Sequence, residues 1–395
     1  MICGYRASTT PNHEVLFFPP ATTSKTADMR PATEKILFID FARGYAIFTI
    51  VLYHAAQKAG LPPWAMQVAS FGGTGVHLFF LLSGFGLALS RSGGSAATFY
   101  RRRLVKVWLP YVLALSLSWL AAACCGLFPD GAGAWLAGVL LYQMFYEPYI
   151  LSFGGHFWFI SAIVQFYLVW PFLTKLRQRL ADDRVFFALS LVVSAGWWLL
   201  VFVLEKGALR TWNSFFLQFL WEFVLGMALA GLFQRGSKAG AFWRFPLLWN
   251  LAAAIVFTGL MLVMVVKMGP AGRIFNDIPA LIGYTAICIS IYQLAEKALP
   301  LLRRFFVWTG GISYSLYLIH VLVLDFYVKM LDSGGLKINP ATLSLYPLTA
   351  LGAAWLFEQL SGQLVRLFST KEKTLARLDE DAAQAPDSAT QADKK

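Results

Sequence analysis

Ten stretches of about twenty apolar residues follow one another along this chain, and they fix the solvent in which it can fold. A helix of that length rises about 30 Å, the thickness of a bilayer's hydrocarbon core. The runs fall near 36–56, 72–90, 105–127, 156–174, 185–204, 213–233, 247–267, 277–296, 305–327 and 341–364. They are apolar all round, without the ~10-residue alternation of a membrane β-barrel. Charged residues make up 14% of the 395, against about 25% in soluble domains. The expected fold class is therefore an all-α polytopic membrane protein, a bundle of about ten transmembrane helices.

A shorter apolar run near 134–146 is settled by loop charge. Lys and Arg concentrate in cytoplasmic loops. The connection holding Arg91, Arg101, Arg102, Arg103 and Lys106 is strongly basic, and so is the one holding Lys175, Arg177, Arg179 and Arg184. Both can be cytoplasmic only if an even number of spans separates them. Residues near 134–150 are therefore expected to form a short interfacial or re-entrant segment on the outer side. The remaining basic loops then fall inside, and both termini are cytoplasmic. The net charge of +12 reads as this loop bias, so nucleic acid is not an expected partner.

The ends differ from the body. Residues 1–34 read as a disordered N-terminal extension, and Met29 offers an alternative start. Residues 368–395 read as a disordered cytoplasmic tail, which leaves 35–367 as the transmembrane domain. Four cysteines, Cys3, Cys124, Cys125 and Cys288, show neither a paired framework nor metal-ligand spacing. No metal site is expected.

The first run carries three ionisable residues, Asp40, Arg43 and His54. A charge at membrane depth costs at least ~2.5–3.5 kcal/mol, so such residues point to function. Arg43 and His54 are eleven residues apart, three helical turns plus about 20°. They share one helix face, about 16 Å apart along the axis. Asp40 lies one turn before Arg43. By the loop charges, Arg43 sits in the inner half of its span and His54 at the outer end. His77, His156 and His320 also fall on the outer side. Glu222 lies mid-span and needs a partner, for which Arg43 is a candidate. Ser313, Tyr317 and His320 share one helix face. Asp325 and Glu358, near span ends, are expected to reach water.

Five motifs in order then resemble the acyltransferase-3 family of membrane O-acyltransferases. They are FIDFARGYAIFTIVLYH (38–54), GVHLFFLLSGFGL (75–87), FYRRRLVKVWLPY (99–111), GHFWFISAIVQFYLVWP (155–171) and ISYSLYLIH (312–320). The resemblance implies His54 as catalytic base with Arg43 as its partner. It implies Arg102, Arg103 and Lys106 as contacts for the acyl donor, with Lys106 standing where the family usually has arginine. A role in substrate binding or positioning falls to Asp40, His156, Trp158, Glu222, Ser313, Tyr317 and His320. Many members carry two glutamates where this chain has Ile163 and Val164, so no carboxylate role transfers there.

The implied reaction moves an acyl group, most often acetyl, from acyl-CoA to a hydroxyl of a surface glycan or lipid-linked sugar at the bacterial inner membrane. Acyl-CoA is a co-substrate; no permanently bound cofactor is expected. Membrane lipid, acyl-CoA and a glycan or glycolipid acceptor are the expected partners. A macrolide or lipid acceptor is a variant of this reading. The alternative is a transporter or flippase of a lipid-linked glycan, which the absence of a transporter-like internal repeat disfavours.

Overall fold

The computed structural model describes residues 30–90, 95–180 and 182–384, and among them the chain is helical without a strand. Helix α1 (Arg30–Lys58) is followed by the short α2 (Pro63–Ser70) and by α3 (Gly75–Leu89). Helices α4 (Ala96–Arg103) and α5 (Leu109–Cys125) join through a π-helical turn at Leu104–Trp108. Two short helices, α6 (Ala132–Val139) and α7 (Glu147–Ile150), precede α8 (Trp158–Leu180) and α9 (Asp183–Val203). A single turn, α10 (Arg210–Asn213), leads into α11 (Leu220–Gln234). Then come α12 (Leu247–Met268), α13 (Pro270–Phe275), α14 (Asp277–Lys297), α15 (Pro300–Gly311), α16 (Ser313–Ser333) and α17 (Tyr346–Gln384).

Nine segments among the described residues are long and apolar enough to cross a membrane. The run expected at 341–364 falls on α17, which is not among those nine. Its buried residues Tyr346, Ala350, Ala354 and Phe357 recur at helical spacing. That stripe explains its place against α16 and α5. The backbone stays helical through Gln384, past the expected domain boundary at 367. Residues 1–29 and 385–395, which hold most of the expected N-terminal extension and the last part of the expected tail, lie outside the described residues.

The run read as one span over 305–327 is two helices, broken at Ile312 between α15 and α16. The Gly310–Gly311 pair ends α15, and a Cβ at Gly310 would collide with the main chain of Asp40. The apolar run continued across this break, so hydropathy alone could not place it.

In the 134–150 region, expected as an interfacial or re-entrant segment, α6 packs against α5. Trp135 meets Trp119 at 5.4 Å and donates to the Ser116 hydroxyl at 3.1 Å. Further along, Tyr111 donates to the Gly138 carbonyl at 3.0 Å and Trp108 to that of Val139 at 2.9 Å. From Trp119 to Trp108 is about 16 Å of helix, so α6 lies alongside α5 and the turn before it. These side-chain donors satisfy carbonyls that no lipid could. Elsewhere the bundle closes by near backbone contact. At the α3–α11 crossing, a Cβ on Gly84 would strike the Phe223 carbonyl, and one on Gly226 that of Leu81.

Candidate active site

Two cavities lie along the face of α1 that carries Arg43 and His54. The outer one, about 580 Å³, is lined among others by His54, His77, Trp158, Arg210, Arg273 and Asp277. The inner one, about 350 Å³, is lined by Arg43, Arg103, Lys106, Tyr167, Tyr317 and Glu358, with Ser313 also in its wall. Three elements serve both. On α1, Arg43 faces the inner cavity and His54 the outer; on α3, Phe79 and His77 do so; on α8, the neighbours Phe159 and Trp158 do so. The two linings thus come within one helical turn of each other on α3 and α8, and about two turns on α1, from Arg43 to Ile50.

His54 is half-buried, and its Nδ1 lies 2.9 Å from Gln57 Oε1, while the Gln57 amide donates to the Tyr53 hydroxyl at 3.0 Å. A carbonyl oxygen only accepts, so Nδ1 carries the proton and Nε2 keeps its lone pair. The His320 ring packs 5.1 Å from His54, and that of His156 5.0 Å from His320. His320 donates from Nδ1 to the Tyr317 carbonyl at 2.8 Å, and His156 from Nε2 to the Leu318 carbonyl at 3.1 Å. Each therefore presents a bare ring nitrogen. Those two atoms, His320 Nε2 and His156 Nδ1, are buried without a hydrogen-bond partner. Tyr317, at the inner cavity, ties this cluster together by donating to the His156 carbonyl.

On the inner side Arg43 Nη1 lies 3.8 Å from Asp40 Oδ1. Arg103 lies over Phe99 and Tyr167, at 5.5 and 5.4 Å from the ring centroids. The π-helical turn adds a residue between Arg103 and Pro110 and brings Lys106 into the same cavity. Arg102 is exposed and is not among the lining residues. Ile163 is in the cavity wall, and Glu358 supplies a carboxylate there, accepting from Ser315 at 2.6 Å. Glu358, expected to reach water, thus faces the inner cavity. Asp325 pairs with Lys58 at 2.8 Å.

Glu222 has a different partner from the one expected. Its Oε1 is 2.7 Å from His77 Nδ1, and the other face of that ring looks to Asp277 Oδ1 at 3.9 Å. Arg43 lies in the other cavity, while Glu222 on α11 packs against α3. Asp277 is further held by the Gln218 amide at 2.7 Å.

Sequence reasoning did not single out Asp277, Gln218, Arg210, Arg273 or Glu147. Glu147 receives the main-chain N–H groups of Arg210 and Thr211 at 2.8 and 2.9 Å, and the Thr211 hydroxyl at 2.7 Å. Burial alone would raise this carboxyl. The Thr211 and Arg210 hydrogen bonds outweigh it and hold the group below its usual range. The only signal was two opposite charges on outer loops sixty-three residues apart, too distant to pair by spacing.

The helical bundle thus holds two cavities along one face of α1, one lined by histidines and the other by cations. Residues 36–358 match the Acyltransferase domain family, and the chain belongs to it, as its motifs implied: it is a multi-pass membrane O-acyltransferase. It is also similar to the protein named Acyltransferase MdmB from Streptomyces mycarofaciens, 25% identical over 323 residues, covering 75% of this chain and 81% of that one. No solved structure matches.

Proposed function

We propose that this enzyme transfers an acyl group, acetyl in the first instance, from acyl-CoA to a hydroxyl of a surface glycan or lipid-linked sugar at the bacterial inner membrane. The observation that carries this reading is the pair of cavities on one face of α1, cationic within and histidine-lined without. Arg43, Arg103 and Lys106 suit the phosphates of a donor arriving from the cytoplasm, as charge-assisted donors. His54 suits the acceptor side as general base.

In this scheme the acceptor hydroxyl gives its proton to His54 Nε2 as its oxygen attacks the thioester carbonyl. The new C–O bond forms, the C–S bond breaks, and the thiolate leaves with the proton as free CoA. Proton removal of this kind is worth about 10²–10⁴-fold in rate. His320 and His156 act as positioning residues, packing the base and fixing its ring. Asp40 orients Arg43.

Purified protein in nanodiscs, given radiolabelled acetyl-CoA and membrane glycolipid, tests the reading. The expected result is label in glycan that mild base releases, as an ester requires. Label that stays in CoA or acetate, or movement of unmodified glycan across the membrane, would refute it.

A further inference from the structure

The outer cavity carries more positive charge than base catalysis needs. We propose that it selects an acceptor bearing an anionic group, a carboxylate or a phosphate, close to the hydroxyl that is acylated. Arg210 and Arg273 are its recognition pair. The inference rests on the outer cavity being the acceptor site.

Arg210 and Arg273 come from α10 and α13, on separate outer loops, yet line the cavity that holds His54. They are close enough to repel one another. Neither guanidinium has a carboxylate within 4 Å among the described residues. Two cations facing one cavity are unfavourable where no carboxylate pairs directly with their guanidinium groups, and a bound anion reverses the sign of that interaction.

The acids nearby do not fill that place. Glu147 takes the main-chain N–H groups of Arg210 and Thr211 and the Thr211 hydroxyl, so it pins the arginine's backbone. The Arg210 guanidinium lies 4.1 Å over the Trp158 ring. A stacked guanidinium keeps its N–H edge free for bidentate contact with a carboxylate or phosphate. Asp277 is almost fully buried, turned toward Gln218 and His77. Asp277 also lines the cavity and acts on Arg210, but its two oxygens are directed at Gln218 and His77, while Arg273 is exposed. At about 580 Å³ the cavity is of ligand size. The anionic group and the acylated hydroxyl therefore belong to the same or adjacent sugar units.

Direct binding tests this without any turnover. Octyl glucoside, octyl glucuronide and octyl glucoside 6-phosphate are titrated into nanodisc-held protein. One or both anionic glycosides are expected to bind at least about tenfold tighter than the neutral one, a gap that narrows with salt. Preference for the glucuronide marks an acidic sugar; preference for the phosphate marks a phosphorylated one. Arg210→Gln with Arg273→Gln should close the gap, and Arg210→Lys should keep part of it. Equal affinity for all three glycosides, or a gap that survives the double substitution, would overturn the proposal. Because these titrations need no acyl donor, their failure is separable from failure of the base-labile label.

Discussion

The two cavities differ in how they hold their charges. On the inner side the cations rest on aromatic faces and a single acid: Arg103 over Phe99 and Tyr167, Arg43 beside Asp40. On the outer side, histidines are held through specific ring nitrogens, by a buried carboxylate in Glu222–His77 and by an amide in His54–Gln57. The first arrangement suits a ligand recognised by its charge, since a guanidinium is a fixed cation with a fork of donors. The second suits proton transfer, because tautomers are fixed by main-chain and amide partners and lone pairs are left bare. One helix carries both, and its eleven-residue spacing from Arg43 to His54 sets the distance between them.

The sharpest way to break this contrast is His54→Ala. Transfer should fall by about 10²–10⁴-fold while acyl-CoA still binds, measured by turnover and by titration of a non-hydrolysable donor analogue. Near-normal transfer would remove the outer side's proton role.

His320 gives the next largest effect. Asparagine at this position keeps a donor near Nδ1 for the Tyr317 carbonyl but loses the acceptor at Nε2; glutamine keeps an acceptor near Nε2. If the bare nitrogen supports the charged base, His320→Asn should cost about 10- to 100-fold in kcat, the scale of a hydrogen bond to a charged group. His320→Gln should recover much of it. Equal loss in both variants would make the residue a packing element only.

On the inner side, Arg103→Gln should raise the KM for acyl-CoA about tenfold with little change in kcat, and the effect should shrink at high salt. Arg102→Gln, outside the cavity, should stay within about twofold on the same assay, the scale of an exposed charge. Equal effects would show that the basic stretch acts as a diffuse patch.

The smallest effect concerns Glu147. Its folded pKa is depressed, so the stability it lends is present above the unfolded carboxylate value and is lost as pH falls through the folded one. The wild type should therefore lose outer-loop stability only in acid, below about pH 4.3. Glu147→Gln should show that loss at neutral pH, and hydrogen exchange at residues 210–213 would detect it. Unchanged protection in the variant would show that the carboxylate does not hold this turn.

Most of the bundle was legible because its signal is repetitive: twenty apolar residues leave few options, and loop charge gave the parity that kept 134–150 from counting as a span. The α15–α16 break was hidden because both halves are apolar and the stop depends on Gly310 meeting the main chain of α1. In the site, Arg43 and His54 were legible because a charge in hydrocarbon stands out, and Arg103 and Lys106 because the basic motif marks them. Pairings across distant helices were not. Glu222 could be flagged as needing a partner, but His77 and Asp277 are joined to it only by the α3–α11 crossing and the start of α14. Arg210 and Arg273 looked like ordinary loop charges, since nothing local distinguishes a loop arginine that turns into a cavity.

The central claim is directional: donor at the inner cavity, acceptor at the outer, one wall between them. Proteoliposomes with the protein in a single known orientation, sealed to CoA, test it most directly. Labelled acetyl-CoA supplied at the face bearing the Arg103–Lys106 stretch should yield base-labile label in the glycolipid, and His54→Ala should abolish it. Acetyl-CoA supplied only at the opposite face should yield none. Equal labelling from the opposite face would contradict the account.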